Sequence, residues 1–419
     1  MQEVHLADLL SFTRDGEWGN GEASEGYSPA LVIRGTDFER VRAGDLNTLP
    51  LRYIRSDILT RKTVTAGDTL IETAGGTKDQ PTGRTVFIPS SVIAATNLPL
   101  ICASFARFLR PDSNLVDPQF LFWKLQDEYH SRRMMPYHVQ HTGVARFQYT
   151  QFAENYPFSL PNLSIQRAIA STLGALDDKI ELNRRMNETL EAMAQAIFKD
   201  WFVDFGPTRA KAEGRLSYLV PDLWSLFPDR LDSDGKPEGW QAGCLLDVCE
   251  LKRGYDLPSA QRLPGPYPIV SSSGITGFHS AFMAKGPGII TGRYGTIGEV
   301  HFIKGQYWPL NTTLYVRDMK SNSALFIYYT LKRVDYQKYS DKGAVPGVNR
   351  NHLHQSEVII PPRYVQDKFE QTLEPLWLKY DANIAESRTL AQTRDLLLPK
   401  LMSGEIRVRD AETLVENAL

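Results

Sequence analysis

The sequence predicts an α/β chain of the α+β kind, built as an internal tandem repeat. Two globular domains are each followed by a long helix, and the two helices pair as an antiparallel coiled coil about a pseudo-twofold axis. Three observations predict this. An apolar seam runs in steps of four and three from Ile169 to Trp201, and the same seam recurs 200 residues later. The segments ahead of the two seams also resemble each other.

The first seam reads Ile169, Leu173, Leu176, Ile180, Asn183, Asn187, Leu190, Ala194, Ile197, Trp201. The second reads Phe369, Leu373, Leu376, Tyr380, Asn383, Ser387, Leu390, Arg394, Leu397, Leu401. Alternating four and three is the spacing of a coiled-coil face. Polar residues interrupt both lines at the same places, so Asn183 and Asn187 have Asn383 and Ser387 as expected partners. A buried polar layer costs stability and fixes register and direction. The competing reading leaves these asparagines in solvent where the seam loosens. Around the seams, Pro161/Pro361, Gln166/Gln366, Thr172/Thr372 and Lys179/Lys379 also match.

Upstream, EVHLADLLSF (Glu3 to Phe12) resembles WQAGCLLDVCEL (Trp240 to Leu251), with Leu6 and Asp8 opposite Leu245 and Asp247. GDTLIETAGGT resembles GPGIITGRYGT, pairing Gly76 with Gly295, and GRTVFI resembles GEVHFI. TGVARF stands where KGAVPGVNR stands in the second copy. TLIET, RTVFIP, LICASFARFL, GIITG, EVHFI and TLYVRD read as strands. Gln119 to Arg133 and Ala324 to Tyr339 read as matching helices. The resulting boundaries are 1–160 for the first globular domain, 161–205 for the first rod and 206–239 for a Gly-, Pro- and Asp-rich linker. The second globular domain takes 240–362, the second rod 363–403 and the tail 404–419.

Composition narrows the function. At 42% hydrophobic and 23% charged the chain is a soluble globular type, and no apolar run is long enough for a membrane span. The N-terminus lacks the apolar stretch of a signal peptide. Cys102, Cys244 and Cys249 form no CxxC pair, which points to a reducing cytoplasm and against a thiolate zinc site. The net charge of −2 gives no support to a protein that simply coats nucleic acid, but it allows a local basic face. Residues 216–365 hold 16 Lys/Arg against 13 Asp/Glu; residues 1–160 hold 16 against 18 and need a local patch.

A helix from Ser164 to Phe202 spans roughly 58 Å at 1.5 Å per residue. Such a rod acts as a spacer between two related heads. Two heads turned by a twofold suit a two-part target, and duplex DNA repeats equivalent faces about every 34 Å.

Leu160 to Pro207, the ending LLLPKLMSGEIRV, the linker LFPDRLDSDGKPEGW and ITGRYGTIGEV together resemble the specificity subunit of Type I restriction–modification enzymes. The resemblance covers essentially the whole chain and is most specific in the helices. It implies two target-recognition domains, each binding half of a split double-stranded DNA sequence, and an antiparallel coiled coil that sets the spacing. It also implies docking of two methyltransferase (modification) subunits that methylate adenine, and of up to two restriction subunits. S-adenosylmethionine, ATP and Mg are then expected only in those partners, with no cofactor in this chain. The chain would be a non-catalytic, cytoplasmic reader.

The sequence agrees in lacking catalytic motifs. No Asn/Asp-Pro-Pro-aromatic loop occurs; Asn155-Tyr156-Pro157-Phe158 lacks the proline pair. No GxxxxGK[ST] phosphate loop occurs either. The pairs His138/His141 and His352/His354 have no supporting ligands, so no metal is expected. Pro228, Asp229, Asp234 and Lys236 imitate a nuclease pattern in the linker, without marks of adjacent strands. The alternative of another class is a two-headed protein-binding scaffold with a coiled-coil strut; an independent nuclease comes third.

DNA contacts call for Arg, Lys, Asn, Gln, Ser or Thr at base edges and for cations or free amides at phosphates. The loop Gly292–Gly298 offers Arg293, Tyr294 and Thr296, and its counterpart offers Lys78, Gln80 and Arg84. Segments just before each rod offer Arg146 with Gln148, and Asn349, Arg350 and His352. Turn geometry alone explains the glycines equally well.

Overall fold

A computed structural model describes residues 2–76, 80–140, 144–339 and 347–416. Mixed sheets and helices form two compact units. One comprises Met1–Arg185 together with Asn383–Leu419; the other is Met186–Ala382. The rods are single helices, Leu163–Phe202 and Arg363–Ser403. Each is divided between the units near its middle, where the sequence reading had set the rods apart as separate regions.

The first unit carries a four-stranded sheet in the order Leu10–Asp15, Ala106–Pro111, Thr69–Glu72, Thr85–Phe87. Beside it lies a three-stranded sheet of Leu51–Arg55, Tyr27–Ile33 and Leu100–Cys102, the last pair parallel. Gln2–His5 pairs with Pro157–Leu160. LICASFARFL is therefore not one strand. It turns at 103–105, with Ala103 donating to Ile33 and Ala106 back to Ala103, and so passes from one sheet to the other.

The second unit repeats the plan. Its four strands run Glu250–Arg253, Thr313–Asp318, Gly288–Gly292, Val300–Ile303. Its three run Gly274–His279, Tyr267–Ser271, Trp308–Pro309, again with one parallel pair. Gln241–Cys244 pairs with Glu357–Ile360. The helix predicted over 324–339 stops at Arg333, because Val334 is extended, and a 3-10 turn follows over Tyr336–Tyr339.

Both units fix the start of a rod in the same way. The buried Gln166 carboxamide accepts from the Asp117 amide at 2.9 Å and donates to the Pro161 carbonyl at 2.9 Å. Gln366 accepts from the Ser323 amide at 2.9 Å and donates to Pro361 at 3.0 Å and to Asn322 at 2.8 Å. Asp117 and Ser323 are themselves the N-caps of Pro118–His130 and Ala324–Arg333. One side chain thus ties a globular helix to the rod.

Within each unit the two rod segments run antiparallel. In the first, Asp177 meets Arg394 at 2.5 Å, while Asn183 donates to Glu386 at 2.7 Å and to Ser387 at 3.3 Å. In the second, Asn187 donates to the Tyr380 carbonyl at 3.2 Å, and Phe198 packs on Phe369 with ring centroids 5.7 Å apart. Residue numbers rise along one helix as they fall along the other. Ile169, Leu173, Leu176, Phe369, Leu373 and Leu390 are buried, as are Asn183 and Asn383. Ile180, Asn187, Leu190, Leu376 and Tyr380 are half-buried. Asn183 thus takes Ser387 and Glu386 rather than the residue at its own place in the repeat, since antiparallel strands of a repeat pair across its centre.

The first unit's core joins Leu6, Leu9 and Phe120 to Leu173, Leu390 and Leu401. The segment read as a tail forms a helix, Val408–Glu416, and buries Ala411 and Val415 in that core. In the second unit Phe198, Phe202, Phe326 and Phe369 pack together, and Phe227 and Trp240 of the linker region join them. No helix among the described residues is long and apolar enough to cross a membrane.

Candidate functional site

Each unit brings the loop after a central strand against the segment that precedes a rod. In the first, the amides of Thr73 and Ala74 both donate to the Phe105 carbonyl, at 2.8 and 3.3 Å. The Phe147 amide donates to Thr73 at 2.9 Å, and Ala74 bridges to Arg146. In the second, the amides of Arg293 and Tyr294 donate to Thr312 at 2.8 and 3.2 Å. The Val348 amide donates to Arg293 at 2.9 Å, and Tyr294 bridges to Gly347. Thr73, Ala74 and Gly75 therefore correspond to Arg293, Tyr294 and Gly295.

This corrects the pairing of Gly76 with Gly295 by one residue. A slip of one places every side chain on the wrong face of a strand. The bonding pattern matches Gly75 with Gly295, and both take positive φ, +110° and +80°. Gly83 and Gly298 match as aligned, at +101° and +90°. The loop between these glycines holds seven residues in one unit (76–82) and two in the other (296–297).

Of the first unit's candidates, Lys78 lies outside the described residues, and Gln80 is exposed at the loop's end. Arg84 is not presented to a ligand. Its guanidinium makes a two-pronged contact with the almost fully buried Glu72, at 2.9 and 2.6 Å, which raises its pKa and pins the base of the loop. Arg146 and Gln148 are exposed and border a cleft of about 400 Å³. Its lining includes Asp15, Phe105, Arg107 and Tyr149. Arg107 pairs with Asp15 at 2.6 Å and lies over the Tyr149 ring at 4.4 Å, so its charge is already engaged. Phe105 is 57% exposed at the rim.

In the second unit the Arg293 guanidinium lies over the Tyr294 ring, 4.6 Å from its centroid. That ring rests on Gly347, where an added Cβ would come within 2.3 Å of it. Gly292 permits the loop to close, since a Cβ there would strike the Thr296 carbonyl at 1.9 Å. Thr296 is half-buried by the same closure. Asn349 caps the short helix Arg350–Leu353 by accepting from the Asn351 amide at 2.9 Å. Arg350 and His352 are exposed on that helix. No carboxylate lies within ion-pair distance of Arg146, Arg293 or Arg350 among the described residues.

The structure adds residues that the sequence reading passed over. Gly16 donates to Ala106 and Gly254 to Thr313, which equates Asp15 with Arg253. One position thus carries opposite charge in the two units, with Arg253 3.6 Å from Asp256. Both glycines are needed, because a Cβ would meet a carbonyl at 2.0 or 2.1 Å. The upstream repeat holds at Leu6/Leu245 and Asp8/Asp247 and was the available signal, but a bulge between Leu10 and Phe12 shifts the count by one beyond it.

The other motifs find structural uses. His138 Nδ1 contacts the Thr82 amide and hydroxyl at 3.1 and 2.9 Å. His354 Nε2 accepts from the Leu251 amide at 2.9 Å, and burial, with nearby Arg350, lowers its pKa. His141 lies outside the described residues. In the linker Lys236 pairs with Asp232, and Asp229 with Lys211 at 3.0 Å, in a turn rather than on a sheet. No three His, Cys, Asp or Glu side chains converge as for a metal among the described residues.

Comparison with known proteins gives concordant matches. Two segments, 33–192 and 237–386, match the family described as the Type I restriction modification DNA specificity domain. The specificity subunit of the Type I restriction enzyme HindI from Haemophilus influenzae is 26% identical over 368 residues, covering 71% of this chain and 79% of that protein. The MjaIX specificity subunit from Methanocaldococcus jannaschii is 26% identical over 274 residues, covering 60% of each. The crystal structure of the Type-I restriction-modification system S subunit from M. genitalium superposes with a TM-score of 0.51 at 17% identity, covering 96% of this chain and 95% of that one.

Proposed function

The chain belongs to the Type I restriction modification DNA specificity family, recognising DNA as part of a restriction–modification complex, and from that premise we propose how it reads its target. Each unit contacts one half of a split double-stranded sequence through the loop and pre-rod segment described above. The observation that carries this reading is the repeated backbone frame with unlike side chains, exposed or, for Arg293, half-exposed. Arg146, Gln148 and Phe105 occupy one copy; Arg253, Arg293, Tyr294, Arg350 and His352 occupy the other. A common frame with different donors suits two different half-sites, because base edges differ in their donor and acceptor patterns.

The chemistry belongs, on this reading, to partners. Two methyltransferase subunits would bring S-adenosylmethionine and modify adenine, and restriction subunits would bring ATP and Mg. The absence of an Asn/Asp-Pro-Pro-aromatic loop and of a phosphate loop from the sequence supports that division. The setting is the cytoplasm, where host DNA is available.

Single-molecule sequencing of host DNA, with and without the gene, tests the reading. A split motif with methylated adenine should vanish when the gene is deleted; methylation that persists unchanged refutes it. Binding of the purified chain to duplex DNA should weaken roughly a thousandfold or more between 50 and 200 mM salt if several phosphates are contacted. A flat response with protein ligands would favour a scaffold instead.

A further inference from the structure

We propose that the cross-strand bridge before each rod, Ala74/Arg146 in one unit and Tyr294/Gly347 in the other, is a specificity-determining position that presents one guanidinium to a guanine in each half-site. The inference rests on the DNA-reading function proposed above and deepens it. The two bridges occupy the same place in the hydrogen-bond frame. They have exchanged large and small partners. In the first unit the small Ala74 faces Arg146, whose side chain is exposed. In the second the large residue is on the other strand, and the Tyr294 ring fills the space above Gly347 so closely that no Cβ fits there.

Side chains at directly opposed positions of antiparallel strands pack against one another. In each of these bridges one partner is small and the other large, and which strand supplies the large one determines where the polar head emerges. In the first unit the head is the guanidinium of Arg146 itself. In the second it is that of Arg293, held over the Tyr294 ring at 4.6 Å. Stacking on an aromatic face pre-orders a guanidinium; here one Nη also lies 3.5 Å from the Tyr294 hydroxyl, and the remaining donors stay available. Neither arginine has an ion-pair partner among the described residues, in contrast to Arg84 and Arg107 close by. A planar fork of donors with no carboxylate partner matches the O6 and N7 acceptors of guanine, the commonest base contact of arginine.

The experiment selects binding sites for the full-length chain from randomised duplexes. The wild-type motif should contain a guanine in each half. Arg146→Gln should abolish or redirect toward adenine the preference at one guanine in one half, by roughly 5- to 150-fold, and leave the other half intact. Arg293→Gln should do the converse. The untouched half-site serves as the folding control. The exchange Ala74→Tyr with Arg146→Gly, which copies the second unit's bridge, should alter that same base pair and no other. An unchanged motif in the arginine variants overturns the inference while leaving DNA reading intact, as does uniform weakening on all sequences, which marks a phosphate contact. A wild-type chain that selects no motif removes the DNA reading itself, and this inference with it.

Discussion

His354 shows how a single side chain supports the candidate surface. Its Nε2 accepts the Leu251 amide, and it sits one turn from the exposed Arg350 and His352. Burial, then the nearby Arg350 charge, lowers its pKa below the ordinary 6.5. Protonation would turn the accepting nitrogen into a donor and break the bond. Because the unfolded chain takes the proton first, the contribution is complete above about pH 6.5 and is lost as the pH falls below it through the folded value. Thermal unfolding should therefore show the second unit losing stability as the pH falls below about 6.5. His354→Gln, which keeps an acceptor but does not titrate, should flatten that dependence; an identical slope in the variant would count against it. At this scale the sequence was least informative. Arg84 and Arg146 look alike as letters, and only the buried Glu72 beside Arg84 distinguishes a structural cation from an available one. Asp15, Phe105 and Arg253 come to the site by pairing with distant strands, which no local pattern records.

Among elements, the rods were legible and the sheets less so. A seam in steps of four and three can be counted, and its recurrence at an offset of 200 identifies both helices at once. Strand pairing has no such long count. The adjacent Gly75 and Gly76 left the repeat free to slip by one, and only hydrogen bonding set the register. Gln166 and Gln366 lay within the matched segments, yet their role needs partners more than 40 residues away. Gln366→Leu keeps the volume and strands the buried Ser323 amide, the Asn322 carboxamide oxygen and the Pro361 carbonyl. At about 1–3 kcal/mol for each buried group left unmatched, the loss should be at least about 2 kcal/mol in denaturant unfolding. Gln166→Leu, whose carboxamide makes two such bonds against three for Gln366, should cost less. A loss below about 0.5 kcal/mol for Gln366→Leu would show that the joint between globular helix and rod does not depend on it.

For the whole molecule, neither rod belongs to one unit. The first unit's core needs Leu390, Leu397, Leu401, Ala411 and Val415 from the last part of the chain. A chain stopped after Ala382 retains all of 186–382 but removes those side chains from Leu173 and Leu176. At about 1.5–3 kcal/mol for each large apolar side chain, the loss reaches the order of a domain's total stability. Limited proteolysis should then digest residues 1–185 and spare a fragment near 186–382. Equal protection of both would contradict the discontinuous core. The duplication foretold two similar bodies, but it could not foretell that each would borrow half of the other repeat's helix.

The order of synthesis gives that borrowing a cost in time. When Arg185 leaves the ribosome, the segment that completes its unit, beginning at Asn383, is still untranslated. At about 5–20 residues per second the gap of roughly 200 residues lasts on the order of 10 to 40 s. Through that interval Leu173 and Leu176 lack the part of their cover that Leu390, Leu397 and Leu401 supply, while Met186–Ala382 emerges as an uninterrupted stretch able to close on itself. The body made first is therefore the one finished last, and the nascent chain depends on shielding of that bare helix face until its final turn has been added.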